Sequence, residues 1–535
     1  MSENMVLPEL FRPPVAFPDM PYDQLLRMAA YRVPDRPAII YHNAYFTYRE
    51  VVSMVNCIAN GLCAMGLRKG ERICLFMTNR PEYTVSFLAA ASIGAVVSPM
   101  NPAYKEREVG YQLENSEACM LIIQRELLPL LRLVMGQKSF PNLKHIIVTG
   151  DSVPEELPEA IPWARLMRES SPEQPPRVEI SGDDLLALPY SSGTTGLPKG
   201  VMLSHRNLTT NNLQFTTVLQ TNVNDVALIF LPFYHIYGVM LTGAFLACGG
   251  TQVLMERFDL VQSLELCEKH GVTYYFAVPP IIVALANAPV DLSKLKTVKY
   301  VFSGAAPLPL DPARRLEAKT GLQVVQGYGM TEASPLTHAQ PKDPSLVRPD
   351  SVGLPVHNTE QKVVDIETGE RELPAGVDGE IIVRGPQVMQ GYWKAPEASA
   401  QSLRNGWLYT GDIGHTDDDG FTYIVDRKKE MIKYKGFGIA PAEIEALLME
   451  HPAVMDSAVI GVPDEEAGEA PKGFVVLRAD HQQATPDEIM AFANGKLAGY
   501  KKVHYIEVVQ SIPKNASGKI LRRELKELEK ARRER

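Results

Sequence analysis

The 535-residue chain predicts an α/β protein in two parts: a large N-terminal domain of stacked α/β sheets with a β-rich subdomain, then a small mobile α+β C-terminal domain. Three observations carry that expectation. Apolar runs of strand length alternate with helix-length segments through the first two thirds, the pattern of mostly parallel sheets covered by helices. From Thr359 the texture changes to short strands separated by turn residues. A charged run without an apolar anchor, Asp426-Arg-Lys-Lys-Glu430, then reads as the linker to a last domain of about 100 residues. A chain this long exceeds what one core organises, and the boundaries fall at 1–426 and 427–535, with the hinge near 426–430.

Arg72 to Met77 reads as a strand, Pro81 to Ala91 as a helix and Gly94 to Ser98 as the next strand. Leu121-Ile-Ile123, His145 to Val148, Val226 to Leu231, Thr251 to Met255, Tyr274 to Val278 and Tyr300-Val-Phe302 continue the alternation, and Leu185 to Tyr190 supplies another strand. Beyond Thr359 the short strands are Glu360 to Asp365, Gly379 to Arg384 and Phe421 to Val425. The segment from Val226 to Met255 contains no Asp, Glu, Lys or Arg and is long enough to span a bilayer. Pro232, His235, Gly238, Gly243 and the Gly249-Gly250 pair interrupt it, so a buried strand, a loop and a buried helix are expected.

Acidic residues outnumber basic ones by 63 to 54, a net charge of −9, so no overall positive field exists to hold nucleic acid. The 6 cysteines show no C-x-x-C spacing, which argues against a zinc site or redox pair and fits reduced thiols in a cytoplasmic setting. Met1 to Met20 lacks the pattern of a signal peptide. The run from Arg522 to Arg535, with 7 basic and 4 acidic residues, allows weak contact with a membrane surface, a solvated helix being the simpler reading. Nothing in the pattern fixes an oligomeric state.

Two turn-rich loops each carry one lysine: Tyr190-Ser-Ser-Gly-Thr-Thr-Gly-Leu-Pro-Lys199 and Pro513-Lys-Asn-Ala-Ser-Gly-Lys519. In the first, Ser191, Ser192, Thr194 and Thr195 with Gly193 and Gly196 offer hydroxyl and backbone donors to a polyphosphate. It is not a Walker loop, because Leu197 and Pro198 separate the second glycine from Lys199. Small residues also follow predicted strands at Ser303 to Pro307 and Gln326 to Glu332, where α/β sheets bind ligands. Tyr328 offers a ring face, Thr331 a hydroxyl and Glu332 a hard oxygen for a magnesium ion, while Asp412 sits in a tight turn able to accept from ribose hydroxyls.

These segments, with Asp426 to Gly436, stand in the order and approximate spacing of the adenylate-forming acyl-CoA synthetases, and the chain resembles that superfamily, which includes 4-coumarate-CoA ligases and beetle luciferases, over nearly its whole length. The resemblance implies ATP, Mg²⁺ and CoA, and two half-reactions: a carboxylic acid becomes acyl-AMP with release of pyrophosphate, then a CoA thioester. It implies that Lys519 bridges carboxylate and α-phosphate, that Glu332 holds the metal, and that Ser191 to Gly196 with Lys199 cradle the outer phosphates. It further implies that Ala305 and Ala306 line the adenine and that Gln326, Gly327, Tyr328 and Thr331 hold AMP. Asp412 and Arg427 take the ribose, with Lys429 as the pivot of the small domain. Rotation would exchange the Lys519 face for one around Lys433, Lys435 and Gly436, within a segment, Arg427 to Gly436, of five basic residues and one acid. Gly438 departs from the family pattern, which has an amide side chain there.

The acyl group is expected beside His235, Ile236, Tyr237, Gly238 and Leu241, with His235 as a catalytic gate. No basic residue is present there to answer a second carboxylate. Leu241 favours a medium- or long-chain fatty acid; a 4-coumarate-type aryl acid, a luciferase-like monooxygenase and an adenylation enzyme that loads a carrier protein are the alternatives.

Overall fold

The computed structural model describes residues 12–533 apart from 153, 154, 156, 192–197, 435–436, 465–466, 498 and 516–517. Its described strands form four sheets. The first has a parallel centre, Tyr300–Ser303, Tyr274–Ala277, Val226–Ile229 and Thr251–Leu254, extended by Val324–Gly329 on one side and Pro37–Tyr41 on the other. The outermost strands, Leu336–Ala339 with Leu354–Pro355 and Ala44–Thr47, are antiparallel. Every residue of Tyr274–Ala277 and Thr251–Leu254 is buried, as parallel strands covered on both faces must be.

The second sheet is built around Val96–Met100, Arg72–Phe76, Met120–Ile123 and His145–Val148, all parallel. Lys199–Ser204 joins it antiparallel through Leu185–Ala187. Leu185 to Tyr190 does not continue as one strand: Ala187 ends the first piece, and Tyr190–Ser191 pairs separately with the start of Lys199–Ser204. Pro189, which has no N–H for a ladder, marks the break. One apolar cluster contains Ile73 and Leu75 of this sheet together with Ile229 and Phe276 of the first.

The uncharged stretch resolves into the strand Val226–Ile229, the helix Ile236–Cys248 and the strand Thr251–Leu254. The helix is apolar nearly all round and therefore buried. Among the described residues no helix is long and apolar enough to cross a membrane.

The helix His205–Leu219 is different, because it buries a polar face. Asn207 Nδ2 donates to the carbonyls of Pro386 and Val388 at 2.7 and 2.9 Å. Asn211 donates to Leu336 O at 2.8 Å and accepts from Leu336 N at 3.0 Å, while Gln214 Nε2 donates to His357 O at 2.6 Å. Each amide satisfies backbone groups that no strand neighbour reaches, so this helix ties the first sheet to the β-rich region.

That region is an antiparallel sheet of Glu360–Val364, Gly379–Arg384, Trp407–Thr416 and Thr422–Arg427, with Leu403–Arg404 at one edge. The charged run at 426–430 is no free linker at its start. Asp426 and Arg427 complete the strand Thr422–Arg427, and Asp426 is buried, its carboxylate accepting from Ala442 N at 2.9 Å.

The last sheet pairs Val454–Asp464 with Gly468–Leu477 and adds Ile432–Tyr434, Phe437–Ile439 and Tyr505–Val508. Period-2 alternation builds a core on each face: Val459 and Val475 pack with Ile444 and Ile489, whereas Ile460 and Phe474 pack with Ile512 and Leu525. The C-terminal helix Arg522–Arg533 rests on that second face through Leu525 and leaves most of its other residues exposed, as a solvated surface helix does. Its charges are engaged in ion pairs: Arg522 bonds Glu430 and Glu445, and Lys472 reaches Glu529 at 2.6 Å. Among the described residues all six cysteines are free thiols.

Candidate active site

The registers of the first sheet assemble the site. Ser303 lies beside Gln326 and Ala277 beside Ser303, so the loops that follow these strands leave the same sheet edge together. Ala305 lies in the first of them at φ 73°, a left-handed conformation that costs an alanine free energy and has to be held by its surroundings. Ala306 beside it is half-buried. Gln326 and Gly327 belong to the strand Val324–Gly329, and Gln326 spends its amide on the carbonyl of Pro349 at 2.9 Å.

Asp412 and Arg427 face each other as register partners on adjacent strands, and Arg427 Nε stands 3.1 Å from Asp412 Oδ1. Tyr328 donates its hydroxyl to the other oxygen, Oδ2, at 2.5 Å. Burial, followed by the neighbouring carboxylate, pushes the Tyr328 phenol far above its ordinary range, so it keeps the proton that it donates to Asp412. Burial opposes the charge on Arg427, yet Asp412 and the other acids around it outweigh that and hold the guanidinium firmly protonated.

Lys519 arrives at the same place from the far end of the chain. Its loop is closed by Asn515, which accepts from Lys519 N at 2.9 Å, and it rests on the first body: a Cβ at Gly518 would lie 2.5 Å from Pro280. Burial, then repulsion by Arg427, lowers the Lys519 ammonium to a pKa of about 8, despite the opposing fields of Glu430 and Asp412. It is a cation at neutral pH, held close to losing its proton.

Glu332 follows Thr331 in a single 3₁₀ turn and is only 8% exposed. Its Oε1 accepts from Ser191 Oγ at 3.0 Å and from Tyr392 OH at 2.9 Å, and among the described residues its other oxygen has no hydrogen bond. Lys199 pairs with Ser191 in the ladder, and its ammonium lies 5.4 Å from the centre of the Tyr392 ring. Tyr392, which the sequence reading missed, thereby joins the glutamate to the lysine. It sits opposite Val201 on a two-residue strand too short for periodicity to reveal. Lys428 was missed as well; it bonds the buried Glu380 at 2.7 Å, and Glu380 accepts from Gly411 N at 3.1 Å, bracing the turn before Asp412. Among the described residues no group of three or more His, Cys, Asp or Glu could hold a metal ion. A magnesium ion would therefore rest on one carboxylate plus phosphate and water oxygens, its usual mode, and the free oxygen of Glu332 suits that.

His235 caps the helix Ile236–Cys248 by accepting from Tyr237 N at 3.3 Å, and burial lowers its pKa to about 4, so it is neutral. Tyr237 is 7% exposed, its ring lies against Gly304, and its hydroxyl is buried without a hydrogen-bond partner among the described residues. Ile236, Gly238 and Leu241 offer no open surface: Leu241 has none exposed, and a Cβ at Gly238 would fall 2.4 Å from Pro232 O. The expected apolar wall at Leu241 belongs to the core, and with it goes the ground for preferring a fatty acid.

The remaining expectations lie apart or out of view. Lys429 is exposed in the turn after Arg427, and Lys433 is exposed on the hairpin that pairs it with Gly438. Ser192, Gly193, Thr194, Thr195, Gly196, Lys435 and Gly436 lie outside the described residues.

Comparison with known proteins finds relatives along nearly the whole chain. Residues 26–393 match the family model of the AMP-binding enzymes, and residues 443–519 that of the AMP-binding enzyme C-terminal domain. A curated relative, 4-coumarate-CoA ligase 1 of Narcissus pseudonarcissus, is 39% identical over 530 residues, covering 96% of this chain and 95% of its own. Among solved structures, ATP-bound MatB from Rhodopseudomonas palustris superposes with a TM-score of 0.87 at 30% identity, covering 96% of this chain and 99% of its own. The apo form of that protein gives 0.77 with the same identity and coverage. An anthranilate CoA ligase, AuaEII, in complex with anthranoyl-AMP gives 0.86 at 27% identity, covering 98% of each chain.

Proposed function

The chain belongs to the AMP-binding enzyme family, and from that premise we propose that it is an ATP-dependent acid–CoA ligase whose substrate is an aryl acid of the 4-coumarate type. The observation that carries the substrate class is the buried, unpartnered hydroxyl of Tyr237 against Gly304. A buried hydroxyl without a partner costs about 1–3 kcal/mol, and a ring substituent able to hydrogen-bond would recover it, whereas an alkyl chain would not. The similarity to a 4-coumarate-CoA ligase supports the same choice.

In the first step a carboxylate oxygen attacks the α-phosphorus of ATP, the bond to the β-phosphate oxygen breaks, and pyrophosphate leaves. Lys519 neutralises charge where carboxylate and phosphate meet, with a reduced pKa that leaves it protonated at pH 7. Asp412, fixed by Tyr328 and Arg427, accepts from the ribose hydroxyls; Lys199 and the hydroxyl loop face the outer phosphates. Glu332, oriented by Ser191 and Tyr392, would hold the magnesium ion, which draws charge from the phosphate oxygens when bound. In the second step the CoA sulfur attacks the acyl carbon and AMP leaves. Lys519 and the thiol compete for the same approach, so the unit from residue 427 to 535 turns about 426–430 between steps. The better superposition on the ATP-bound than on the apo neighbour supports reading the present arrangement as the adenylating one. A cytoplasmic setting, consistent with the free cysteines, is part of the same proposal.

The test is pyrophosphate release with 4-coumarate, cinnamate, benzoate, octanoate and palmitate, with and without CoA. We expect 4-coumarate to lead and thioester to form. Faster turnover of octanoate or palmitate than of every aryl acid would end the aryl reading, and absence of thioester the ligase reading.

A further inference from the structure

A second cleft lies between the helix Leu310–Thr320 of the large body and the end of the helix Pro441–Met449 with the strand Gly468–Leu477 of the last sheet. It encloses about 420 Å³ and is lined by Asp311, Arg315, Glu450, His451 and Arg478 among others. None of these belongs to the Asp412 site. Arg315 is half-buried, and its Nε and Nη2 are enclosed without a hydrogen bond. Asp311 forms an ion pair with Nε at 3.2 Å, which leaves Nη2 as the enclosed group without a partner among the described residues. Arg478, also half-buried, has no side-chain hydrogen bond or ion pair among the described residues, and Glu450 is committed to Lys496 at 2.7 Å. Enclosed guanidinium N–H groups left unsatisfied are costly, and a tetrahedral oxyanion is the group they fit best.

We propose that this cleft binds a phosphate group between Arg315 and Arg478, and that such an anion clamps the two units in the present arrangement. Because one arginine comes from each unit, the bound anion favours adenylation and slows the turn to the thioester step; that consequence rests on the function proposed above, whereas binding does not. The phosphate could be free orthophosphate, pyrophosphate released by the reaction, or the 3′-phosphate of CoA, which share this chemistry.

With α,β-methylene-ATP filling the nucleotide site, calorimetric titration with orthophosphate, pyrophosphate and 3′-phosphoadenosine 5′-phosphate in separate arms identifies the source. We expect saturable binding of at least one, weakened at least about tenfold by Arg315→Ala or Arg478→Ala, the loss of one charge-assisted hydrogen bond. Arg384→Ala, which pairs with Glu360 within the β-rich sheet and does not line the cleft, serves as the control and should change nothing. The anion that binds should also slow thioester formation from supplied acyl-AMP in the wild type but not in the two cleft variants. No binding of any arm, or binding indifferent to both arginines, overturns the site. Binding that leaves the thioester rate unchanged overturns the clamp.

Discussion

Replacing Tyr237 by phenylalanine removes one oxygen atom and leaves the ring against Gly304 in place. In the free protein that oxygen is buried without a partner among the described residues, so its loss relieves a desolvation cost of about 1 kcal/mol or more, and the variant should unfold at a higher temperature than the wild type. With substrate the sign reverses. A neutral hydrogen bond to the 4-hydroxyl of coumarate is worth about 1–1.5 kcal/mol, and cinnamate, lacking that hydroxyl, leaves the tyrosine as it is in the free protein, so kcat/KM should favour coumarate by roughly 5- to 13-fold. In Tyr237→Phe the ratio should fall to about one, mostly by loss of the coumarate rate. The assay is pyrophosphate release at limiting concentrations of each acid, and the ratio of ratios isolates the pair. A ratio unchanged by the substitution would refute the reasoning, because the hydroxyl would then face something other than the substrate ring.

Lys519→Ala should lower acyl-AMP formation by about 100-fold or more while supplied acyl-AMP still reacts with CoA, measured as separate half-reactions. Because burial lowers Lys519 to a pKa of about 8, its cation is present below that value and lost above it, so adenylation kcat/KM should decline above pH 8. Lys519→Arg, which cannot deprotonate in that range, should not show the same limb. Tyr392→Phe frees one bond to Glu332 and should raise the magnesium concentration needed for half-maximal adenylation by about tenfold, with rescue at high magnesium. Asn211→Ala strands both backbone groups of Leu336 and should destabilise the protein by about 2–4 kcal/mol in denaturant unfolding, with a shift of the strand beside Gly329 visible by hydrogen exchange.

The alternation of strands and helices, the uncharged segment from 226 to 255, the change of texture after Thr359 and the ligand-facing loops were all legible in the chain. Each is a local property: period, turn chemistry and the small residues that a close approach demands. The same locality explains the errors. Asp426 and Arg427 looked like linker because nothing near them is apolar, yet a ladder to Trp407–Thr416 and the N–H of Ala442 hold them. The surface helix at 522–533 was read as solvated and most of it is exposed, but the bonds of Arg522 to Glu430 and Glu445 and of Glu529 to Lys472 were hidden, because those partners lie elsewhere in the chain.

By itself the sequence determined the fold class and the identity of most polar groups expected at the site, because hydropathy period and motif spacing are written along the chain. Only the tertiary structure decided that Lys519 stands beside Asp412, that Tyr392 couples Glu332 to Lys199, and that Leu241 is core while the Tyr237 hydroxyl is left unpaired. Those facts depend on which surfaces meet across hundreds of residues and on what water is excluded when they do, and neither burial nor an unmet hydrogen bond exists until the chain has closed around it.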